Sequence, residues 1–279
     1  EDILQTTMAL SPLEKIASFL NIRTRKSRTL VSKLQTRIWL DCIMREHHLD
    51  KSQLESKLSN GSDPKGQVYK WFRGDNCVTE SKVRQIEKVL TGSNEVFNLP
   101  VFDLLQNKPI TKSKLRRLIS PYSDNSGDLI FWRLPEKYKG KEDGISIPII
   151  LPDNLDMLYQ RGGVFSFIAI LYLVRRAETE GDTYLHLEAV KHAYKSFPSL
   201  ARHQDFIGHW QDILKAFQLI HLRVTTSALL VQPDIDIIKK QIESDNFITL
   251  RELRPRHPVT HRFEDNETPY REATIPFDD

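Results

Sequence analysis

Residues 64–90, PKGQVYKWFRGDNCVTESKVRQIEKVL, decide which fold this chain adopts. Val68 and Trp71 stand three positions apart, so they share one face of a predicted helix. Gly74 supplies the left-handed residue that ends this helix. Thr79 then caps a further helix, which keeps three apolar residues on one face: Val83, Ile86 and Leu90. The stretch therefore predicts two short helices, at 64–73 and 80–90, joined by a turn.

The residues before this stretch supply the rest of a compact helical core. Asp50 is the predicted cap of a helix at 51–59, in which Leu54 and Leu58 lie on one face. A longer helix is predicted at about 30–48, because its apolar residues recur at helical spacing. Four helices in this order indicate an α-helical N-terminal region.

This layout resembles the phage-repressor (Cro-like, XRE) helix-turn-helix superfamily over residues 30–93. The resemblance rests on a leucine-bearing helix, then V-x-x-W-x-x-G in the next helix, then V-x-x-I-x-x-x-L in the closing helix. It implies a helix-turn-helix at 51–90 whose second helix, at 64–73, binds double-stranded DNA. The segment SNGSDPKG at 59–66 is longer than the family's usual turn. It implies either a changed angle of the second helix or a turn that itself contacts the DNA backbone.

The major groove of DNA admits one α-helix, and the face opposite Val68 and Trp71 is the face that would point at the bases. Four residues are expected nearest the base edges: Lys65, Gly66, Gln67 and Lys70. Lysine pairs with guanine acceptors and glutamine with adenine. Tyr69 and Arg73 are expected at the flanks, on phosphates. The alternative interpretation is a solvated helix face on a protein-binding module.

The distribution of charge favours a nucleic-acid partner for the N-terminal half. The net charge of +3 combines an N-terminal excess of cations, 21 Lys and Arg against 13 Asp and Glu in residues 1–120, with an acidic remainder. A basic hinge, RTRKSR at 23–28, follows a predicted short helix at 11–22. Its cations are Arg23, Arg25, Lys26 and Arg28. Such an arm can lie along phosphates or enter a minor groove, and the alternative is a solvated linker.

The polar segment SDNSGD at 123–128 is the predicted domain boundary. It separates an N-terminal helical domain, 1–122, from a C-terminal domain, 129–250. The tail at 251–279 contains four prolines and few apolar residues, so we expect it to be extended or disordered.

The C-terminal domain is predicted to be mostly helical, α+β, with a few short strands. Strands are expected at 129–134 and 145–151, helices at 162–180, 183–197 and 204–218, and a hairpin at 219–224 and 228–232. Helices followed by a hairpin are typical of a winged helix. However, the helix at 204–218 carries the acidic residues Asp205 and Asp212 and few cations, so it is poorly suited to bind DNA. A protein-interaction or dimerisation role for this domain fits better.

Composition excludes several classes of function. Glycine, with 11 residues, is scarce, and the sequence has no phosphate-binding loop, dinucleotide fingerprint or G-x-S-x-G motif. Two cysteines, Cys42 and Cys77, and histidines at unsuitable spacing predict no metal site. The longest apolar run, 164–174, is too short to span a bilayer. We therefore expect no enzyme activity, no cofactor and no membrane insertion.

Together these patterns predict a mainly α, cytoplasmic, nucleoid-associated protein that binds double-stranded DNA sequence-specifically, as a transcriptional regulator. The C-terminal domain is expected to pair protomers as a homodimer or to receive another protein. The alternative is a helix-turn-helix adaptor that recruits a partner protein in a mobile-element or defence assembly without regulating transcription.

Overall fold

The structure is a computed structural model, and it describes residues 24–59, 66–123, 129–130, 133–138, 147–148, 153–224, 229–244 and 268–274. This part of the chain is mainly helical, with two short pairs of strands. The predicted class, mainly α with a few short strands, is confirmed at that level.

The N-terminal elements are six helices. They are α1 (Thr24–Glu46), α2 (Lys51–Ser59), α3 (Gln67–Arg73), α4 (Glu80–Glu87), α5 (Ser93–Phe97) and α6 (Pro100–Leu104). Helix α1 begins earlier than the predicted 30–48, so residues 24–28 of the expected hinge are helical. Helix α4 ends at Glu87, before the predicted 90, and the N–H of the next residue, Lys88, donates to the carbonyl of Gln85 at 3.3 Å. Gly92, with a left-handed φ of 87°, precedes the unpredicted α5.

The later elements are six further helices and four strands. The helices are α7 (Lys112–Ile119), α8 (Asp153–Arg161), α9 (Gly163–Glu180), α10 (Thr183–Ala201), α11 (Trp210–His221) and α12 (Ile235–Glu243). The antiparallel strand pairs are β1 (Leu129–Ile130) with β2 (Ile147–Pro148), and β3 (Leu229–Pro233) with β4 (Tyr270–Thr274). Short 3-10 turns lie at Ser120–Tyr122, Glu136–Tyr138 and Ile207–His209.

The described residues form two compact units. The first unit holds the residues up to Lys108 together with 204–219, and the second unit holds 109–203 and the residues from Ile220 onward. This division differs from the predicted boundary at 123–128. Two segments account for the difference. Residues 109–122 belong with the second unit, where the Thr179 hydroxyl donates to the carbonyl of Ile110 at 3.3 Å. Residues 204–219 belong with the N-terminal helices, and His209 Nε2 lies 2.6 Å from Asp41 Oδ2 of α1.

Helix α1 forms the centre of the first unit. Trp39 is fully buried, with its ring edge-on to Trp71 at 5.9 Å and to Phe97 at 6.1 Å between centroids. The side chain of Gln35 donates to the carbonyl of Phe97 at 2.7 Å. Aromatic edge contacts of this kind stabilise a core beyond the burial of area alone. Helix α1 thus fixes the positions of both α3 and α5.

The predicted caps of two short helices are confirmed. Asp50 Oδ1 accepts from the backbone N–H of Gln53 at 2.7 Å, and Gln53 Oε1 accepts from the N–H of Asp50 at 2.9 Å. Thr79 accepts from the N–H of Lys82 at the start of α4. Each cap satisfies a backbone N–H that the helix itself leaves without an acceptor.

The second unit is built on α9 and α10, which pack against each other. The apolar run at 164–174 is a buried part of α9, and Phe167 lies edge-on to Phe197 of α10 at 5.8 Å between centroids. The buried face of α10 includes His186, whereas the next residue, Leu187, is half-buried. Among the described helices, none has the length and apolar character needed to cross a bilayer.

The strands of the second unit differ from the predicted hairpin at 219–224 and 228–232. Helix α11 continues to His221, because its apolar residues keep a helical period through Ile220. Strand β3 pairs instead with β4, with Val231 opposite Glu272. Residues 270–274 of the expected tail therefore form a strand. Within the described residues, β3 does not pair with 219–224 as the hairpin of a winged helix requires.

Candidate nucleic-acid interface

Two glycines delimit helix α3. The helix begins at Gln67 rather than at the predicted 64, after Gly66 with a left-handed φ of 54°. It ends at Gly74, whose φ of 73° is also left-handed and whose N–H donates to the carbonyl of Trp71 at 3.0 Å. The chain therefore turns sharply at both ends of a helix of seven residues.

The inner face of α3 is the predicted one. Val68 and Trp71 are 2% and 3% exposed, and Leu54 of α2 is fully buried. Lys51 at the start of α2 places its Nζ 4.5 Å from the centre of the Phe72 ring, a cation–π contact. Helix α3 is thus held by an apolar face against α1 and by α2 at its side.

The outer face of α3 differs from the expected assignment. Tyr69, with 42% exposure, and Arg73 are the two exposed residues of α3, whereas Gln67 and Lys70 are half-buried. With 3.6 residues per turn, Arg73 points almost opposite the direction set by Val68 and Trp71, and Tyr69 and Lys70 lie on either side of it. Arg73, expected at a flank, therefore lies at the middle of the outer face.

Arg73 forms an ion pair with Asp75 just beyond the end of α3. Its Nε and Nη2 each lie 2.8 Å from Asp75 Oδ2. Asp75 is held in place through its backbone N–H, which donates to the carbonyl of Lys70 at 2.9 Å. Asp75 was absent from the predicted site. The signal that could have indicated it is its place directly after Gly74, where the chain reverses.

Two cations of α1 lie beside Gly74. A Cβ atom at Gly74 would stand 3.2 Å from Arg37 Nη2 and 3.4 Å from Lys33 Cδ, so these side chains cross closely over the glycine. Arg37 Nη1 is also 3.9 Å from Asp212. Lys33 and Arg37 were not among the predicted site residues, although they stand one helical turn apart on α1. They add positive charge at the end of α3 that carries Arg73.

The structure describes only some of the remaining residues predicted to contact DNA. Gly66 precedes α3, and Lys65 and Arg23 lie outside the described residues. Arg25, Lys26 and Arg28 lie in the first turns of α1, so they belong to a helix and not to the expected hinge. Their contacts with phosphate stay predictions.

One group of potential metal ligands occurs within the described residues of the first unit. The ligand atoms of Cys42, Glu46 and Asp205 lie within 4.8 Å of one another. Asp205 is buried, and the guanidinium of Arg45 forms an ion pair with its carboxylate. Arg45 therefore supplies the positive charge that this buried carboxylate requires.

A buried cluster of charged and polar side chains lies in the second unit. Arg175 Nη1 is 2.9 Å from Glu178 Oε2, and Arg223 Nε is 2.7 Å from Glu178 Oε1. Arg175 is fully buried, and this burial lowers the pKa of its guanidinium to about 10. Glu178 bridges the two guanidinium groups, so the pairing links α9 to the residues after α11.

Two histidines of the same unit are buried in their neutral form. Burial, with the nearby His221 and Arg175, lowers the pKa of His186 to about 4. Burial also lowers the pKa of His221 to about 4, and its Nδ1 lies 3.1 Å from the hydroxyl of Tyr194. The spacing of histidines in a sequence indicates metal sites only, and no local pattern signals that a single histidine will be buried.

Comparison of the chain with models of known protein families, with curated proteins and with solved structures gives no match.

Proposed function

We propose that this protein binds double-stranded DNA sequence-specifically, as a regulator of transcription, with α3 in the major groove. The observation that carries the proposal is the arrangement of α3: its inner face is fixed on a buried tryptophan pair, and its outer face presents Tyr69, Lys70 and Arg73. A rigid short helix with an outward polar face can present side chains to base edges.

The charges near α3 support a partner that carries phosphates. Lys33 and Arg37 of α1 lie beside the end of the helix, and Lys51 lies over its Phe72 ring. Cations spread around a groove-binding helix attract the DNA backbone and fix the orientation in which the helix enters. In this proposal they supply general affinity, and the outer face of α3 supplies the preference for sequence.

The test compares two double variants that remove equal charge. Lys70→Ala/Arg73→Ala alters α3, and Arg116→Ala/Arg117→Ala removes two exposed arginines from α7 of the second unit. Full-length protein is titrated with a duplex selected from a randomised library and with a scrambled duplex, at several salt concentrations.

We expect the wild type to prefer the selected duplex, with an affinity that falls steeply with salt. The α3 variant should lose this preference, and the α7 variant should keep it. Equal losses in both variants would place the interface away from α3. A wild type that binds no duplex would contradict the proposed function altogether.

A further inference from the structure

Asp75 is in a fixed position relative to the guanidinium of Arg73. The left-handed Gly74 reverses the chain, and the backbone bond from Asp75 to the Lys70 carbonyl holds the reversal. Both Arg73 nitrogens that face Asp75 reach the same carboxylate oxygen at 2.8 Å. The pair therefore orients the plane of the guanidinium as well as offsetting its charge.

This contact leaves one edge of the guanidinium facing away from the carboxylate. A guanidinium has five N–H donors in a rigid plane. Asp75 occupies the edge formed by Nε and Nη2, so the edge formed by Nη1 and the second hydrogen of Nη2 keeps two parallel donors. Guanine presents two acceptors, O6 and N7, side by side in the major groove, and arginine commonly binds both.

We infer that Arg73 reads a guanine in the major groove and that Asp75 is the positioning residue that orients it. The inference rests on the proposed DNA-binding function, and it deepens that function by assigning the specificity of α3. It replaces the expectation that Arg73 contacts phosphate. Arg73 is suited to base reading by its place in the middle of the outer face, beside Tyr69.

The charge of the pair agrees with base reading. A phosphate contact depends on net positive charge, and the Asp75 carboxylate offsets that charge. A base contact depends on donor direction, which the same carboxylate fixes. The alternative to a positioning role is that Asp75 acts only as a negative charge that repels DNA.

The experiment uses full-length protein with Arg73→Ala, Arg73→Lys, Asp75→Asn and Asp75→Ala. A duplex library with a randomised centre first gives the preferred site of the wild type. Each variant is then titrated with that duplex, with duplexes in which each guanine is replaced in turn, and with a scrambled duplex. Thermal unfolding of each variant checks that it is folded, which the exposure of both side chains leads us to expect.

We expect one guanine for which the wild type shows about a five- to 150-fold preference, the range of a bidentate base contact. Both Arg73 variants should lose this preference, and Arg73→Lys should do so while keeping the charge. Asparagine keeps a neutral acceptor for Arg73 and alanine keeps none. The preference should therefore fall from wild type to Asp75→Asn to Asp75→Ala, while binding to the scrambled duplex tightens equally in both.

Other outcomes overturn the inference. If Asp75→Asn and Asp75→Ala tighten binding to every duplex alike and leave the guanine preference unchanged, Asp75 only repels DNA. If Arg73→Ala weakens all duplexes equally, Arg73 contacts phosphate. A wild type that prefers a site, with a preference that survives Arg73→Ala, contradicts this inference alone. A wild type that binds no duplex contradicts the proposed function as well.

Discussion

Each unit contains an arginine–carboxylate pair at nearly the same distance, in opposite surroundings. Arg73 and Asp75 are 64% and 51% exposed and lie 2.8 Å apart, whereas Arg175 and Glu178 are 0% and 12% exposed and lie 2.9 Å apart. An exposed pair contributes little to stability, and its groups are available to a partner. A buried pair cannot lose one member without leaving an unpaired charge in the core. An arginine–carboxylate ion pair is therefore suited to contact a partner in the first unit and to stabilise the core in the second.

Removing Trp71, a buried residue of the helix that carries Arg73, should have the largest effect on the free energy of unfolding. We expect Trp71→Ala to lower the free energy of unfolding by roughly 3–5 kcal/mol, because the indole is buried edge-on against Trp39 and its loss leaves a cavity. Urea denaturation followed by circular dichroism measures the change.

Two control variants sharpen this test. Trp71→Phe keeps the aromatic contact, and the described residues offer the indole Nε1 no acceptor, so this variant should lose much less stability. Tyr184→Ala removes an aromatic ring that is 66% exposed and should change little. If Trp71→Ala were as stable as Tyr184→Ala, α3 would not rest on a buried anchor.

Breaking the buried pair should have the next largest effect. We expect Glu178→Ala to cost roughly 3 kcal/mol of unfolding free energy, because Arg175 would stay buried beside Arg223 without its carboxylate. Chemical denaturation at neutral pH measures this cost. A cost below that of an ordinary surface substitution would show that solvent reaches Arg175.

Acidification should destabilise the second unit through its histidines. The unfolded chain has histidines with the ordinary pKa of 6.5, and the fold lowers the pKa of His186 and of His221 to about 4. The unfolded state therefore binds more protons between these values, and stability falls as the pH falls from 7 towards 4. At pH 5 the loss is about 2 kcal/mol for each histidine.

The contribution of one histidine can be separated by substitution. The difference in unfolding free energy between pH 7 and pH 5 should be about 2 kcal/mol smaller in His186→Gln than in the wild type. Val89→Ala, which replaces an exposed residue of the first unit that does not titrate, should leave the difference unchanged. An unaltered difference in His186→Gln would mean that the fold does not lower the pKa of His186.

The smallest effect is expected at the exposed pair. Asp75→Ala should change the free energy of unfolding by less than about 1 kcal/mol, because water solvates both charges when the pair is broken. Denaturation alongside Glu178→Ala provides a matched comparison of the same truncation in two environments. Equal costs in the two variants would remove the distinction between the pairs.

The sequence pattern predicted correctly those features that depend on residues close together in the chain. Three features were predicted because each depends on residues one or two turns apart: the shared face of Val68 and Trp71, the caps Asp50 and Thr79, and the helix at 162–180. Helix ends were less accurate: α1 begins at Thr24 rather than 30, and α4 ends at Glu87 rather than 90.

Long-range pairing could not be predicted in the same way. Strand β3 finds its partner in β4 near the C-terminus, and neither sequence specifies the other. Residues 204–219 join the first unit through contacts such as His209 with Asp41, which no local window contains. The exposure of Tyr69 and Arg73, against the half-buried Gln67 and Lys70, also depends on neighbouring elements, and the DNA contacts assigned to α3 stay predictions.

Hydrogen exchange of the full-length protein, with and without the selected duplex, tests most directly whether DNA lies on α3. We predict that DNA slows exchange in peptides covering 66–76 and leaves peptides covering α10 and the buried cluster of the second unit unchanged. The Lys70→Ala/Arg73→Ala variant should show no such protection at the same DNA concentration. Protection confined to α7 or to other parts of the second unit, with none at 66–76, would contradict the account.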